Sequence, residues 1–523
     1  MTIPTECEVS GVYEISYWVE AQAWMRPDKV ALVGSRELWT YRDLHDRVVR
    51  LSRAFRNRLG LEPGGRIAIY SGNCLEYLLV LLAASRAGLV LVPLNWRLTP
   101  GELEYQLRDS GTRRILCSAE YAAAAAELTG RIGLEPPVRI TPAAEPDSLP
   151  DLAGLLDAEP SGLEPPGERD PQPWDRPLLI CYTSGTTGRP KGAVLNSVNM
   201  FFNAINNLLT IDLRADDVCI TLLPLFHIGG INLFTLPALF AGGRVVVPDR
   251  FDPDQAVRLI QEEKVTVVFG VPTVHQRLLE AIDRLKPDLS HVRMFYSGGA
   301  PCPVPLIRAF QERGYRFGQG YGLTETAPTV FMLLEDDFAR KPGSIGRPAP
   351  FNRVRVIDPA TGQPVPPGGV GEITVRGPNV FTAYWQNEKA TAEAIRNGWF
   401  HTGDLARIDE EGFVTIAGRL KEMIISGGEN IYPVEVEQAI QTHPAVVEAA
   451  VFGVPHPEWG EVPHAAVLLE PGASVTEEEL RAHCLARLGK YKIPRRFFIL
   501  DELPRNAAGK VVKSRLAEIT RDM

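Results

Sequence analysis

The chain has 523 residues, more than one hydrophobic core usually supports, so at least two domains are expected. Its 45% hydrophobic and 23% charged residues are those of an ordinary globular protein, and the net charge of −9 weighs against nucleic acid as the main partner. The seven cysteines are scattered and form no CxxC pair, which argues against a disulfide framework or zinc site and favours a reducing, cytoplasmic compartment.

The N-terminus carries Glu6, Glu8 and Glu14 and lacks the basic-then-apolar run of a signal peptide. Residues 28–120 alternate between two kinds of segment. Residues 29–33, 66–70, 89–93 and 114–117 read as strands. Thr40 reads as an N-cap, with Asp43 completing an imperfect capping box, for a helix to about residue 59. Residues 73–87 form a second helix, and Thr99 caps a third through residue 109. This rhythm implies an α/β fold with a parallel sheet and helices on its faces. The apolar stretch 78–94 is broken by Arg86 and Gly88 and falls short of the ~20 residues a bilayer span needs, so it reads as a buried helix running into a strand, not a transmembrane segment. Residues 121–177 turn rich in Pro, Glu, Asp and Gly and read as a connector with room for one helix.

The string from Tyr182 to Gly192 then follows a short apolar strand. Gly185 and Gly188 let backbone approach a ligand, and successive amides in such a loop form an anion-binding nest. Thr183, Ser184, Thr186 and Thr187 add hydroxyls, and Lys191 adds a point charge suited to phosphate. The loop is not a common P-loop, because Lys191 is flanked by Pro190 and Gly192. Residues 199–210 read as a helix, and 218–224 as a strand that delivers His227 beside Gly229 and Gly230, where α/β ligand sites lie, although a packed or surface histidine reads equally well from these residues alone. Strands follow at 244–248, 265–271 and 293–297. The last ends in small residues, Gly298, Gly299 and Ala300, with room for a flat base or an acyl chain. Next, Gln319, Gly320, Tyr321, Gly322, Thr324 and Glu325 supply a ring, a hydroxyl and a carboxylate, and magnesium favours one or two carboxylates plus phosphate oxygens. Residues 353–385 read as a small antiparallel subdomain of short strands with Pro and Gly turns. Asp404 can accept from paired ribose hydroxyls and Arg419 can reach ribose or phosphate, unless the two simply pair in a structural salt bridge. Beyond residue 421 the sequence reads as a separate small α/β domain, with helices at 434–441 and 477–488 and strands at 446–451 and 465–469.

The signature string resembles that of the adenylate-forming superfamily: acyl-CoA synthetases, adenylation domains of peptide synthetases, and firefly luciferase. The similarity runs from about Tyr41 to Lys513. It implies a large N-terminal domain, residues 1–420, of layered sheets with the small antiparallel subdomain, and a mobile C-terminal domain, residues 421–523, pivoting at Lys421. It places Thr183, Ser184, Gly185, Thr186, Thr187 and Lys191 on the ATP phosphates, Tyr321 against the adenine, and Gly299, Ala300, Gln319 and Gly320 among the residues that bind ATP and AMP. Thr324 goes to the α-phosphate, Glu325 to a magnesium ion, Asp404 to the ribose, and Arg419 to the ribose or a phosphate. Lys510, in a Pro-Arg-Asn…Gly-Lys frame, aligns with the catalytic lysine. His227, Ile228, Gly229, Asn232, Gly298 and Gly322 border the acyl group, and His227 also has a catalytic part, shifting to admit the thiol. His227 stands where amino-acid-activating members usually have Asp, which weighs against an amino acid substrate. Gly427, Gly428 and Glu429 fit the face that meets coenzyme A after domain rotation.

The resemblance implies an ATP- and magnesium-dependent acid–CoA ligase. It first makes an acyl-adenylate, with Lys510 bridging carboxylate and α-phosphate, then passes the acyl group to the CoA thiol. The apolar pocket residues favour a fatty or other hydrophobic acid, with an aryl or polycyclic acid close behind. Transfer to a carrier-protein thiol and luciferase-like oxidation stay open. A non-catalytic nucleotide-binding protein should have lost some of Lys191, Glu325, Asp404, Arg419 and Lys510, and all are present. The oligomeric state is open, a homodimer among the options.

Overall fold

A computed structural model describes residues 13–144, 148–162, 173–183, 189–427, 429–505 and 511–523. Its N-terminal part is built on two large sheets. One has nine strands, with Val30–Val33, Arg244–Val246, Val218–Thr221, Val267–Gly270, Met294–Ser297 and Phe317–Gly322 running parallel as neighbours in that order. The other has seven, with Val90–Pro93, Arg66–Tyr70, Arg114–Cys117 and Val138–Arg139 parallel and Lys191–Asn196 antiparallel to Pro177–Thr183. The single parallel sheet expected across residues 28–120 is therefore split. Val30–Val33 joins the nine-stranded sheet, and Arg66–Tyr70, Val90–Pro93 and Arg114–Cys117 build the other.

Strand side chains point alternately to opposite faces, and the two sheets use this to build layers. Ile67 and Ile69 belong to the apolar cluster between the sheets, while Ala68 and Tyr70 pack on the outer face. Cys219 likewise faces inward, with Val218 and Ile220 outward. Helix Leu75–Arg86 is buried on every side from Leu75 to Ser85, as expected of an all-round apolar helix enclosed by a core. It and the strand Val90–Pro93 account for the apolar stretch noted in the sequence, and among the described residues no helix is long and apolar enough to cross a membrane. Thr40 and Thr99 cap their helices with complete capping boxes, so the Asp43 variant works as well as Glu102.

The segment after residue 121 holds more order than a connector. Helices Ala122–Ile132 and Leu152–Asp157 and the strand Val138–Arg139 are present because Leu128, Val138, Ile140, Leu155 and Leu156 are buried. A small antiparallel sheet follows, with Arg353–Ile357, Val370–Arg376, Trp399–Ile408 and Val414–Arg419 among its strands. Ile373, Val375, Ala406 and Val414 anchor it to Val330 and Phe331 of the large domain. From Ile424 onward the chain builds its own cores around the long hairpin Val446–His456 and Gly460–Leu469, in a smaller C-terminal domain.

Candidate active site

The signature loop joins two antiparallel strands whose register sets Thr183 directly opposite Lys191 and Tyr182 opposite Gly192. A Cβ on Gly192 would lie 2.5 Å from the Ile180 side chain, so only glycine allows this pairing. Ser184, Gly185, Thr186 and Thr187 lie outside the described residues, as do Gly428 and Lys510. Arg505 and Val511, which flank the Lys510 segment, form an antiparallel bridge.

Lys191 projects over the ring of Tyr384, its Nζ 5.3 Å from the ring centroid. Tyr384 belongs to the short edge strand Ala383–Tyr384, which pairs with Lys191–Asn196. Its hydroxyl donates to Glu325 Oε1 at 2.8 Å. Burial first, then the Glu325 carboxylate, push this hydroxyl well above the ordinary tyrosine range, so it stays neutral and donates. Glu325 is buried in the 3₁₀ turn Thr324–Thr326 that follows the strand Phe317–Gly322. Phe381 N–H donates to the Glu325 carbonyl at 2.8 Å, so the same segment holds both ends of that residue.

A second cluster forms around Asp404. Its register partner is Arg419, whose Nε lies 2.6 Å from Oδ1, and the Tyr321 hydroxyl donates to Oδ2 at 2.5 Å. The ion pair that sequence left as the plainer option is therefore made, and it is made beside Tyr321. The Asp404 side chain is 6% exposed and that of Arg419 43%. Burial opposes the Arg419 cation, but Asp404 and then Tyr321 more than offset this and hold it protonated. Burial, then Asp404, push Tyr321 well above its usual range.

His227 occupies the N-cap position of the short helix Ile228–Asn232 without a side-chain capping bond, its ring 4.4 Å from that of Phe226. Trp96 meets Phe226 edge-on at 5.9 Å. Ile228 and Gly298 are buried and Gly299 and Ala300 are exposed. Gln319 is buried with its amide turned to the backbone of Ser344 and Cys302. Asn232 and Gly322, expected at the acyl pocket, both face the turn after Thr326. Asn232 is fully buried and donates to the Ala327 carbonyl at 2.7 Å. A Cβ on Gly322 would lie 1.5 Å from the Pro328 carbonyl oxygen.

Sequence reasoning missed Tyr384 and a set of buried asparagines. Helix Ser197–Ile211 sends Asn199 to the carbonyls of Pro378 and Val380, and Asn203 accepts from Thr329 N–H. Asn379 donates to the carbonyls of Thr326 and Thr329. Together they pin the loops around Glu325. For Asn199 and Asn203 the helical spacing was an available signal, but asparagine is mostly a surface residue.

In the C-terminal domain a cavity of about 540 Å³ is lined by Gly427 and Glu429, with Trp459, Lys490, Tyr491 and Arg495 around it. Lys421 is exposed in the 3₁₀ turn Leu420–Glu422. Glu422, just beyond it, lies 3.1 Å from Lys513, which also meets Glu437 at 2.7 Å.

Residues 19–385 match the family model of AMP-binding enzymes, and residues 435–510 match that of the AMP-binding enzyme C-terminal domain. The chain is 42% identical over 95% of its length, and 97% of the relative's, to a feruloyl-CoA synthase of an Amycolatopsis species. It is 38% identical, over 97% of its own length and 98% of the relative's, to an indoleacetate–CoA ligase of Aromatoleum aromaticum. Among solved structures it resembles o-succinylbenzoate CoA synthetase from Bacillus subtilis in complex with an acyl-adenylate, with a TM-score of 0.84, 33% identity and coverage of 95% of this chain and 97% of that one. The same synthetase has been solved with ATP and a magnesium ion.

Proposed function

The chain belongs to the AMP-binding enzymes of the adenylate-forming superfamily and is an AMP-forming acid–CoA ligase, and from that premise we propose that its acid is aromatic or aryl-alkanoic. The observation that carries this reading is the near full-length similarity to ligases named for ferulate and indoleacetate. The rings of Trp96 and Phe226 beside His227 support it, since a flat acid packs well against aromatic faces. A fatty acid, the first expectation from sequence, has no such support.

In the proposed mechanism the acid carboxylate displaces pyrophosphate from ATP, and most of the work is positioning and charge stabilisation. Thr183, the loop 184–187 and Lys191 would cradle the outer phosphates. Thr324 would donate to the α-phosphate, and Asp404, oriented by Tyr321 and Arg419, would accept the ribose hydroxyls. Glu325 fits a magnesium ion: its carboxylate is buried and anchored at Oε1, which leaves Oε2 to ligate. Among the described residues no cluster of three or more acidic, His or Cys groups forms a protein cage, in keeping with a cation completed by phosphate oxygens. Such an ion would shield the phosphate charge during the displacement.

The CoA thiol then attacks the adenylate and AMP leaves. The cavity at Gly427 and Glu429 supports a CoA role for that face. Trp459 and Tyr491 offer rings to a base, and Lys490 and Arg495 offer cations to phosphates. A division at residues 420 and 421 is supported by Glu422, which ion-pairs into the C-terminal domain through Lys513 while Arg419 pairs with Asp404. Rotation at Lys421 would withdraw Lys510 after the first step and present Gly427 to Glu429 for the second.

The test is pyrophosphate release over a panel of aryl, aryl-alkanoic, fatty, dicarboxylic and amino acids, with CoA or a carrier protein as acceptor. Highest kcat/KM with hydroxycinnamic or aryl-acetic acids and CoA is expected. Preference for a long-chain fatty acid, or acylation of carrier protein alone, would overturn the proposal.

A further inference from the structure

We propose that Tyr384 is a positioning residue that fixes the Lys191 ammonium and the Glu325 carboxylate to each other, so that the phosphate-binding cation and the metal-holding carboxylate act as one unit. The inference rests on the reading of Lys191 and Glu325 given above. Three contacts carry it. The hydroxyl donates to Glu325 Oε1 at 2.8 Å, the ring lies 5.3 Å beneath Lys191 Nζ, and the backbone pairs Tyr384 with Ala193, two residues beyond Lys191.

Tyr384 is itself held from several directions. Its N–H donates to Thr391 Oγ1 at 3.0 Å, and its ring meets Phe381 edge-on at 4.8 Å. Phe381 in turn packs on Phe400 at 5.3 Å and donates its N–H to the Glu325 carbonyl. Next to it, Trp385 N–H donates to the Gly192 carbonyl at 2.7 Å. An anchored ring carrying one polar tip can therefore do two separable jobs. The hydroxyl restricts one carboxylate oxygen, Oε1, and so leaves Oε2 as the oxygen to meet a cation. The π face attracts the ammonium and limits its swing. Groups that orient a metal-ligating carboxylate in this way change metal affinity when removed.

Two substitutions separate the jobs. Tyr384→Phe removes the hydroxyl and keeps the ring and its packing. Tyr384→Leu removes both. Binding is measured without turnover, using a non-hydrolysable ATP analogue: Mn²⁺ affinity of the enzyme–analogue complex by paramagnetic resonance, and analogue affinity in chelator by calorimetry. Tyr384→Phe is expected to weaken Mn²⁺ binding by about tenfold and to change metal-free analogue affinity less than about twofold. Tyr384→Leu is expected to weaken Mn²⁺ binding similarly and metal-free analogue affinity by about threefold as well. Glu325→Gln and Lys191→Ala are run alongside. If these two lose Mn²⁺ and analogue binding respectively while Tyr384→Phe matches wild type, the positioning role is wrong and the site reading stands. If Glu325→Gln binds Mn²⁺ like wild type, the reading beneath the proposal is wrong and both fall. Should Tyr384→Leu lose its cooperative melt, Tyr384→Phe alone decides.

Discussion

Replacing Tyr321 by Phe tests whether the Asp404 cluster serves the nucleotide or only the fold. The substitution deletes one atom and leaves the ring in place, with its edge against Phe331 at 5.9 Å. That atom donates at 2.5 Å to Oδ2 of a carboxylate whose side chain is 6% exposed, while Arg419 holds the other oxygen at 2.6 Å. A hydrogen bond to a charged group contributes about 1.5–3 kcal/mol, and a buried carboxylate cannot recover it fully from water. A loss of about 2 kcal/mol in stability should lower the melting temperature by roughly 2 °C, the shift being small because the large domain has several hundred residues. The carboxylate also keeps one anchor fewer. About 1 kcal/mol should appear as weaker AMP binding, a roughly fivefold rise in Kd by calorimetry. If Tyr321→Phe melts lower but binds AMP as wild type does, Asp404 and Arg419 form a structural pair and the ribose assignment fails.

Burial holds His275 well below its ordinary pKa, at about 4, with Nε2 3.0 Å from the Tyr296 carbonyl and three phenylalanine rings around it. Because the unfolded chain binds this proton near pH 6.5, stability should fall as pH drops from about 6.5 to 4, by up to about 3 kcal/mol from this residue. Denaturant midpoints of His275→Gln should depend less steeply on pH in that window, and an unchanged slope would contradict the assignment. Lys510→Ala should abolish adenylate formation yet still convert chemically supplied acyl-adenylate and CoA to thioester, and equal loss of both half-reactions would contradict a rotating domain. The six described cysteines are buried, and burial raises Cys181 and Cys302 to about 12 and Cys484 to about 11. A thiol reagent should therefore label at most Cys7 in the native protein, checked by mass spectrometry, until denaturant is added.

Local chemistry made much of the fold legible. Strands Arg66–Tyr70 and Arg114–Cys117 were bounded correctly from apolar runs, and Thr40 and Thr99 marked their helix starts. Sheet membership was not legible, because the pairing of Val30–Val33 with Arg244–Val246 joins segments some two hundred residues apart and leaves no local trace. The order after residue 121 was hidden by its Pro and Gly content, and shows only once Val138 and Leu155 are seen to be buried. At the site, the motif residues were picked out by an order along the chain that resembles the adenylate-forming superfamily, since their types alone left plainer readings open. Tyr384 belongs to none of these motifs. It lies far along the chain from both Lys191 and Glu325, and strand pairing alone brings it to them. The buried asparagines escaped for the same reason, since their partners are backbone groups of distant loops.

Isotope exchange between pyrophosphate and ATP, run without CoA, addresses the central claim that this chain activates an aromatic acid as its adenylate. Exchange should require the acid and a divalent cation, run fastest with a hydroxycinnamic or aryl-acetic acid, and vanish in Lys510→Ala. Exchange that proceeds without any acid, or none with any acid of the panel, would contradict the account.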